Sequence, residues 1–331
     1  MRSIDQSVRG RGVLTLLGAL AALAALWACS NVPEVREEFA AYQPAPLREA
    51  EVLPGPVELE VDRIRVAVST FELPWGFDRG LVQGANVPLL MASALERSLQ
   101  RTGASVVDRR ATEQLFDELR RGEAIGGVDL SRFAQTVDYA LLAQIESLDV
   151  QVDYRRADDE KDPDTCHFST RLQASVRAYA MDPFELVQTF SFRDSDSETV
   201  NMETPAACHS YNAVIKGLVT EVAGDTVRAG DAPLQNLFAP EAFVIERRVG
   251  EQGEIYKVST GTESGFAPGN EVAVFRRAVG ENPLTGREQI EEAQIARGRV
   301  SDAIGGNYAW IVLRGDESAQ LRLGDLVRVM Y

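Results

Sequence analysis

Hydrophobic and polar positions divide the chain into stretches of different texture. Residues 13–26 are almost continuously apolar, from Val13 to Leu26. Residues 30–60 scatter Pro33, Pro44, Pro46, Pro54 and Pro56 among Glu, Ala and Val, which predicts an extended tether. Ile64–Phe71 then reads as a buried strand. Pro88 suits a helix first turn, Met91, Leu95 and Leu99 mark one face of that helix, and Gly103 is placed to end it. Ala104–Asp108 predicts a short strand. Leu115 and Leu119 predict a second helix closed by Gly122, and Asp129 is placed to cap a third that runs through Gln135. A strand is expected from Asp138 toward Tyr154, and a hydrophilic hairpin tip over 155–165.

The next strand alternates cleanly. Leu172, Ala174, Val176, Ala178 and Ala180 point one way, and Arg171, Gln173, Ser175, Arg177 and Tyr179 the other. Asp182-Pro183 turns it into a strand over Glu185–Phe192, and a polar loop is expected up to Cys208. Tyr211, Val214, Ile215, Leu218 and Val222 recur at helical spacing. Residues 224–241 lack periodicity and read as a linker. From Phe243 onward the texture is short strands between glycines, which predicts a small barrel. The fold class expected is therefore α+β: a mixed sheet packed with helices over 62–223, then a small all-β barrel-like domain over 242–331.

The start of the chain fixes the compartment. Arg2, Arg9 and Arg11 precede the apolar run, which is too short for a lasting span of about 20 residues. This is the layout of a secretory signal. Its end, Leu26-Trp27-Ala28-Cys29, resembles the lipobox of bacterial lipoproteins, with Trp27 at the variable position. That resemblance implies removal of residues 1–28 and acylation of Cys29, with 29–61 as a lipidated tether. About 90 Å of stand-off is expected if thirty residues lie in polyproline-like chain. Ser30, rather than aspartate, after the cysteine resembles the bacterial lipoprotein sorting pattern, and that resemblance implies the outer membrane, periplasmic face.

Charge and chemistry narrow the function classes. The 331-residue chain has a formal net charge of −16, which disfavours nucleic-acid binding. Besides Cys29 only Cys166 and Cys208 remain, and in an exported chain pairing is the simplest reading. Free thiols, or a Cys₂His₂ zinc site with His167 and His209, are the other readings. Cys166 and His167 are neighbours on a strand and point to opposite faces, which works against zinc. The acids Asp158, Asp159, Glu160, Asp162 and Asp164 lack the turn glycine and distal glutamate of a calcium loop. Gly122–Gly127 and Gly261–Gly269 lack phosphate-loop spacing, and no nucleophile elbow is present. Trp75, Phe77 and Trp310 are candidate contact aromatics, with Trp310 the more core-like. Neither cofactor nor catalysis is expected.

Two family resemblances refine this. Arg65–Phe71, Leu95–Leu99, Val106–Arg109, the Leu115–Leu119 helix and Val137–Leu142 together resemble the curli-secretion lipoprotein CsgG, whose fold is shared with the amino-terminal domain of TolB. Val258–Gly261, Gly265, Gly269–Val274, Asn282–Gly286, Ile295–Val300 and Leu323–Val327 resemble the carboxy-terminal domain of flagellar assembly protein T, which forms a periplasmic ring. The resemblances imply an outer-membrane-anchored scaffold or assembly factor with periplasmic or outer-membrane protein partners, of which a homo-oligomeric ring is one form. A subunit of a curli-type secretion channel is the other reading. Channel hairpins would fall near 147–168 and 191–210, where charge density opposes lipid-facing strands.

Overall fold

The computed structural model describes residues 32–36, 39–55, 63–73, 85–125, 131–157, 162–202, 204–313 and 321–331. Strand β1 covers Gln43–Ala45, and β2, Arg65–Val68, leads into helix α1, Val87–Arg101. Strand β3 (Ser105–Val107) is followed by α2 (Arg109–Ile125) and the short α3 (Ser131–Ala134). Three long strands come next: β4 (Tyr139–Arg155), β5 (Thr165–Met181) and β6 (Phe184–Asn201). Helices α4 (Pro205–Ser210), α5 (Asn212–Ala229) and α6 (Ala232–Leu237) close the first half.

These elements form a five-stranded sheet, ordered β3-β2-β4-β5-β6. The β3-β2-β4 part is parallel, and β4-β5-β6 is an antiparallel meander. The apolar stripe of α1 and the Ile215, Leu218, Val219, Val222 and Val227 stripe of α5 lie on one face, against Val66, Leu141, Phe168, Leu172 and Val176. Removing each such side chain from water contributes about 1.5–3 kcal/mol. On the other face Leu115, Phe116 and Leu119 of α2 cover only one end, against Ala140, Leu142, Tyr179 and Met181. This is why Tyr179 is buried although it points away from the main core.

The second half is antiparallel. Strands β7 (Glu241–Gly250), β8 (Gly253–Val258), β9 (Glu271–Glu281), β10 (Glu288–Ile304), β11 (Ala309–Leu313) and β12 (Leu326–Met330) close as β7-β12-β9-β10-β11-β8, with β8 back on β7. Val244, Tyr256, Val258, Val274, Val300, Ile311, Val327 and Val329 fill the interior. The two halves meet where Gly103, at φ +83°, faces Gly265, at φ +94°. A Cβ on Gly103 would lie 2.5 Å from the Ser264 backbone, so both the conformation and the approach require glycine.

Several expectations change. The stretch expected as a tether, 29–61, is folded wherever it is described. Strand β1 pairs with β7 through Gln43↔Val249, Pro44↔Arg248 and Ala45↔Arg247. Arg247, Arg248 and Val249 also pair with β8, so β1 lies on the β12 side. There β12 reaches only Glu241–Phe243, and β1 fills the gap it leaves. The expected linker, 224–241, is also built. Helix α5 runs on through Ala229, and Leu234 and Phe238 join the core. Asp231 accepts from Ser98 Oγ and Gln235 Nε2, each at 2.9 Å, and pairs with Arg101. Gly122 does not end α2, which continues to Ile125; glycine inside a helix costs only about 1 kcal/mol. The expected polar loop after Phe192 continues as strand to Asn201, and β10 runs unbroken from Glu288. Asp129 lies outside the described residues.

Candidate functional site

Three surface features carry recognition chemistry. The first is the amino-terminal belt around the barrel. Leu26, Ala28 and Cys29 lie outside the described residues, but the chain three positions on does not. Pro33 O accepts from the Asp302 amide at 3.1 Å. The Asp302 carboxylate in turn accepts from the amides of Val35 at 2.6 Å and Arg36 at 3.0 Å. Val35 and Tyr42 are buried with Ile255, Ala303 and Trp310. Phe39 meets the Trp310 ring edge-on at 5.1 Å, and the Arg248 guanidinium sits 4.5 Å from the Phe39 centroid. Tyr42 needs Gly250 beneath it, since a Cβ there would come within 2.9 Å of the ring. Further on, the Ala50 amide donates to Leu323 O at 2.9 Å and the Leu323 amide to Arg48 O at 2.8 Å. Trp310 is thus a core residue that anchors the belt; Trp75 and Phe77 lie outside the described residues.

The second feature is the extension of β4, β5 and β6. Cys166 on β5 and Cys208 on α4 are joined in a disulfide with a Cα–Cα distance of 5.8 Å, and both are fully buried. The bridge pins α4 over the far end of the sheet, where Phe168 is buried and Val150, Val152, Tyr154 and Val200 are partly buried. With both sulfurs so used, the two histidines have no thiolates beside them. His167 instead faces Thr199 at 3.2 Å. The opposite face is polar along its length. It presents Asp149, Gln151 and Asp153 from β4, His167, Ser169 and Arg171 from β5, and Ser195, Ser197 and Thr199 from β6. Asp149, Gln151, His167, Ser169, Arg171, Ser195 and Ser197 line a depression of about 360 Å³ there. At the hairpin tip Asp164 accepts from the Tyr154 hydroxyl and, at 2.9 Å, from the Ala157 amide. The tyrosine bond first, then the amide, holds this carboxylate below its ordinary pKa. Asp158, Asp159 and Glu160 lie outside the described residues. Among those described, no cluster of His, Cys, Asp or Glu has the make-up of a metal site.

The third feature is a ribbon formed by the free ends of β9 and β10, paired from Glu281↔Glu288 to Arg276↔Ala293. Val279 and Ile290 face each other across it, 49% and 58% exposed, and Leu284 at its tip is 93% exposed. Sequence reading placed the hairpin Asn282–Gly286 at its tip through the family resemblance but missed the long strands that carry it, because they are largely solvent-exposed and no apolar alternation marks them. The Ile290–Glu291–Glu292 run beside Leu284 was the available signal.

One ion pair fixes the parallel end of the sheet. Arg65 Nη2 lies 2.6 Å from Asp138 Oδ1, and Arg65 N donates to Asp138 Oδ2 at 2.7 Å. Burial opposes the Asp138 charge, but the bonds from Arg65 outweigh it and hold the carboxyl below its ordinary pKa. Among the described residues no helix is long and apolar enough to cross a membrane, which leaves strand crossing open.

No family model matches the chain, and no curated protein does. Solved structures match at low identity. A hypothetical protein of Chlamydia trachomatis covers 54% of this chain and 98% of its own, at 8% identity and a TM-score of 0.35. A lipoprotein of Neisseria meningitidis covers 48% and 98%, at 17% identity and a TM-score of 0.25. A minor lipoprotein of Acinetobacter baumannii covers 53% and 95%, at 9% identity and a TM-score of 0.26. At these scores the similarity assigns neither a family nor an activity.

Proposed function

We propose that the chain is an acylated lipoprotein on the periplasmic face of the outer membrane, acting as a protein-binding scaffold in an envelope assembly rather than as an enzyme or a channel. The motif Leu26-Trp27-Ala28-Cys29 behind an apolar leader supports the anchor. The resemblances to CsgG and to the carboxy-terminal domain of flagellar assembly protein T support an assembly role, with periplasmic proteins or further copies as partners. The observation that carries scaffold over channel is the β4–β6 extension. The apolar side chains of β4 and β5, with Phe192 and Val200 of β6, are turned onto the core and pinned by Cys166–Cys208, and the other side is lined with Ser, Thr, Asp, Gln and Arg. A lipid-facing hairpin needs an apolar outer face, and a basic residue at midplane costs about 2–4 kcal/mol. The barrel has its apolar side chains inside and Glu241, Glu271 and Arg297 exposed, the reverse of a lipid-embedded barrel.

Planar-bilayer recording on the purified lipoprotein tests this reading. No discrete conductance is expected; discrete single channels abolished by deleting residues 155–164 would establish the channel instead. Fractionation tests the anchor: wild-type protein should partition with outer membrane, and Cys29→Ser should not.

A further inference from the structure

Between the acylation site and the first described residue of the belt there is very little chain. Cys29 and Val32 are three positions apart. Even fully extended, three residues span only about 10 Å. Val32 is not at the head of a free segment. It packs against the turn before β9, where a Cβ on Gly269 would come within 3.1 Å of Val32 Cγ2. The next residues are bonded to the same end of the barrel through Pro33, Val35, Arg36 and Asp302. That turn is itself held to β10. The Gly269 amide donates to Val300 O at 2.8 Å, the Val300 amide to Asn270 O at 2.9 Å, and the Ala267 amide to Asn270 Oδ1 at 2.6 Å. Ala267 and Pro268 at its apex are exposed.

We infer that the barrel corner formed by Ala267–Asn270 and Asp302 rests on the lipid surface, so that the barrel is moored directly to the membrane and the protein has no tether. This rests on the acylation of Cys29 proposed above. The glycerol-linked thioether sits at headgroup depth, and a leash of about 10 Å cannot lift the corner far from it. The ribbon tip lies at the other end of β9, ten residues along an extended strand, or about 34 Å away. The anchor therefore sets an orientation. The Gly269 corner is membrane-proximal, and Leu284 stands off it, where a partner can reach it.

The test uses full-length lipidated protein in phosphatidylethanolamine/phosphatidylglycerol vesicles containing a headgroup-nitroxide lipid. A single bimane-labelled cysteine is placed at Ala267→Cys or at Leu284→Cys. Acylated Cys29 and the disulfide leave the introduced thiol free to label. Fluorescence should be quenched several-fold more strongly at 267 than at 284. A twenty-residue Gly/Ser insertion after Ser30, with an r.m.s. span of about 25 Å, should keep the protein on floated vesicles and abolish the excess quenching at 267. Equal quenching at both sites in protein that floats would overturn the inference and leave the lipoprotein reading intact. Excess quenching that survives the insertion would also overturn it. Failure to float would overturn the lipoprotein reading and the inference with it.

Discussion

The two halves of the molecule solve the same problem, an unpaired strand edge, in opposite ways. The α/β half leaves β6 as a free edge and blunts it with charge. Asp194 and Asp196 stand on the core-facing side of that strand, where they discourage pairing with another chain. The barrel removes its edges by closing on itself and then recruits β1 for the one length of β7 that β12 does not reach. The sheet is stapled by a covalent bond between distant segments, the barrel by a belt from the far amino-terminal end. The difference implies that residues 32–36 and 39–50 belong energetically to the barrel and that the disulfide belongs to the sheet. Substitutions in one half should leave the other's unfolding unmoved.

The largest break is expected at Trp310. It is 3% exposed and holds Val35, Phe39 and the Arg248 guanidinium together. Trp310→Ala should destabilise the barrel by about 3–5 kcal/mol and free the belt, read as a shift of the barrel's urea transition alone. Next, the paired Cys166→Ser, Cys208→Ser variant opens a loop with a sequence separation of 42. A loss of about 2–4 kcal/mol is expected in the α/β transition, with the barrel transition unchanged. Asp302→Ala removes the acceptor for the Val35 and Arg36 amides, and about 1–2 kcal/mol of belt attachment should go with it, detected as faster proteolysis before Phe39.

How much of this was legible in the chain follows from where side chains are buried. Met91, Leu95 and Leu99 announced α1 because one face of that helix is sealed, and β5 announced itself because, up to the end that α2 covers, its alternation tracks a core on one side. The hairpin Asn282–Gly286 was legible through the family resemblance, but the strands of the ribbon and the second half of β6 were silent because Glu288–Glu292 and Arg193–Asn201 are held by backbone pairing at solvent-exposed edges, which leaves no apolar period. The belt was misread for a different reason. Pro33, Pro44 and Pro46 do specify extended chain, but extended chain also suits a segment laid along a barrel. What decides between the two is the fit of Val35, Phe39 and Tyr42 onto Trp310 and Gly250, more than 200 positions away. Cys166 and Cys208 were visible as a pair by count alone, while the polar face that α4 leaves open beneath them needed the register of three strands.

The smallest effect sharpens the comparison at the parallel end of the sheet. Asp138 is held by Arg65 below its unfolded pKa of about 3.9. Its contribution to stability is present above that value and is lost as pH falls through the lower folded value. The pair is 40% and 38% exposed, so the effect should stay under about 1 kcal/mol. Asp138→Asn should flatten the acid limb of the α/β transition below about pH 4 and leave the barrel's limb unchanged.

The claim beneath all of this is that the segment following the proposed acylation site, where it is described from Val32 onward, is part of the barrel and not a leash. Amide hydrogen exchange at Val35, Arg36 and Ala50, followed beside Val258 and Val274 of the barrel core, tests it most directly. Val35 and Ala50 should exchange orders of magnitude more slowly than free chain, and Trp310→Ala should release Val35 and Arg36 first. Exchange at all three at the rate of an unstructured peptide, in protein whose barrel amides remain protected, would contradict it.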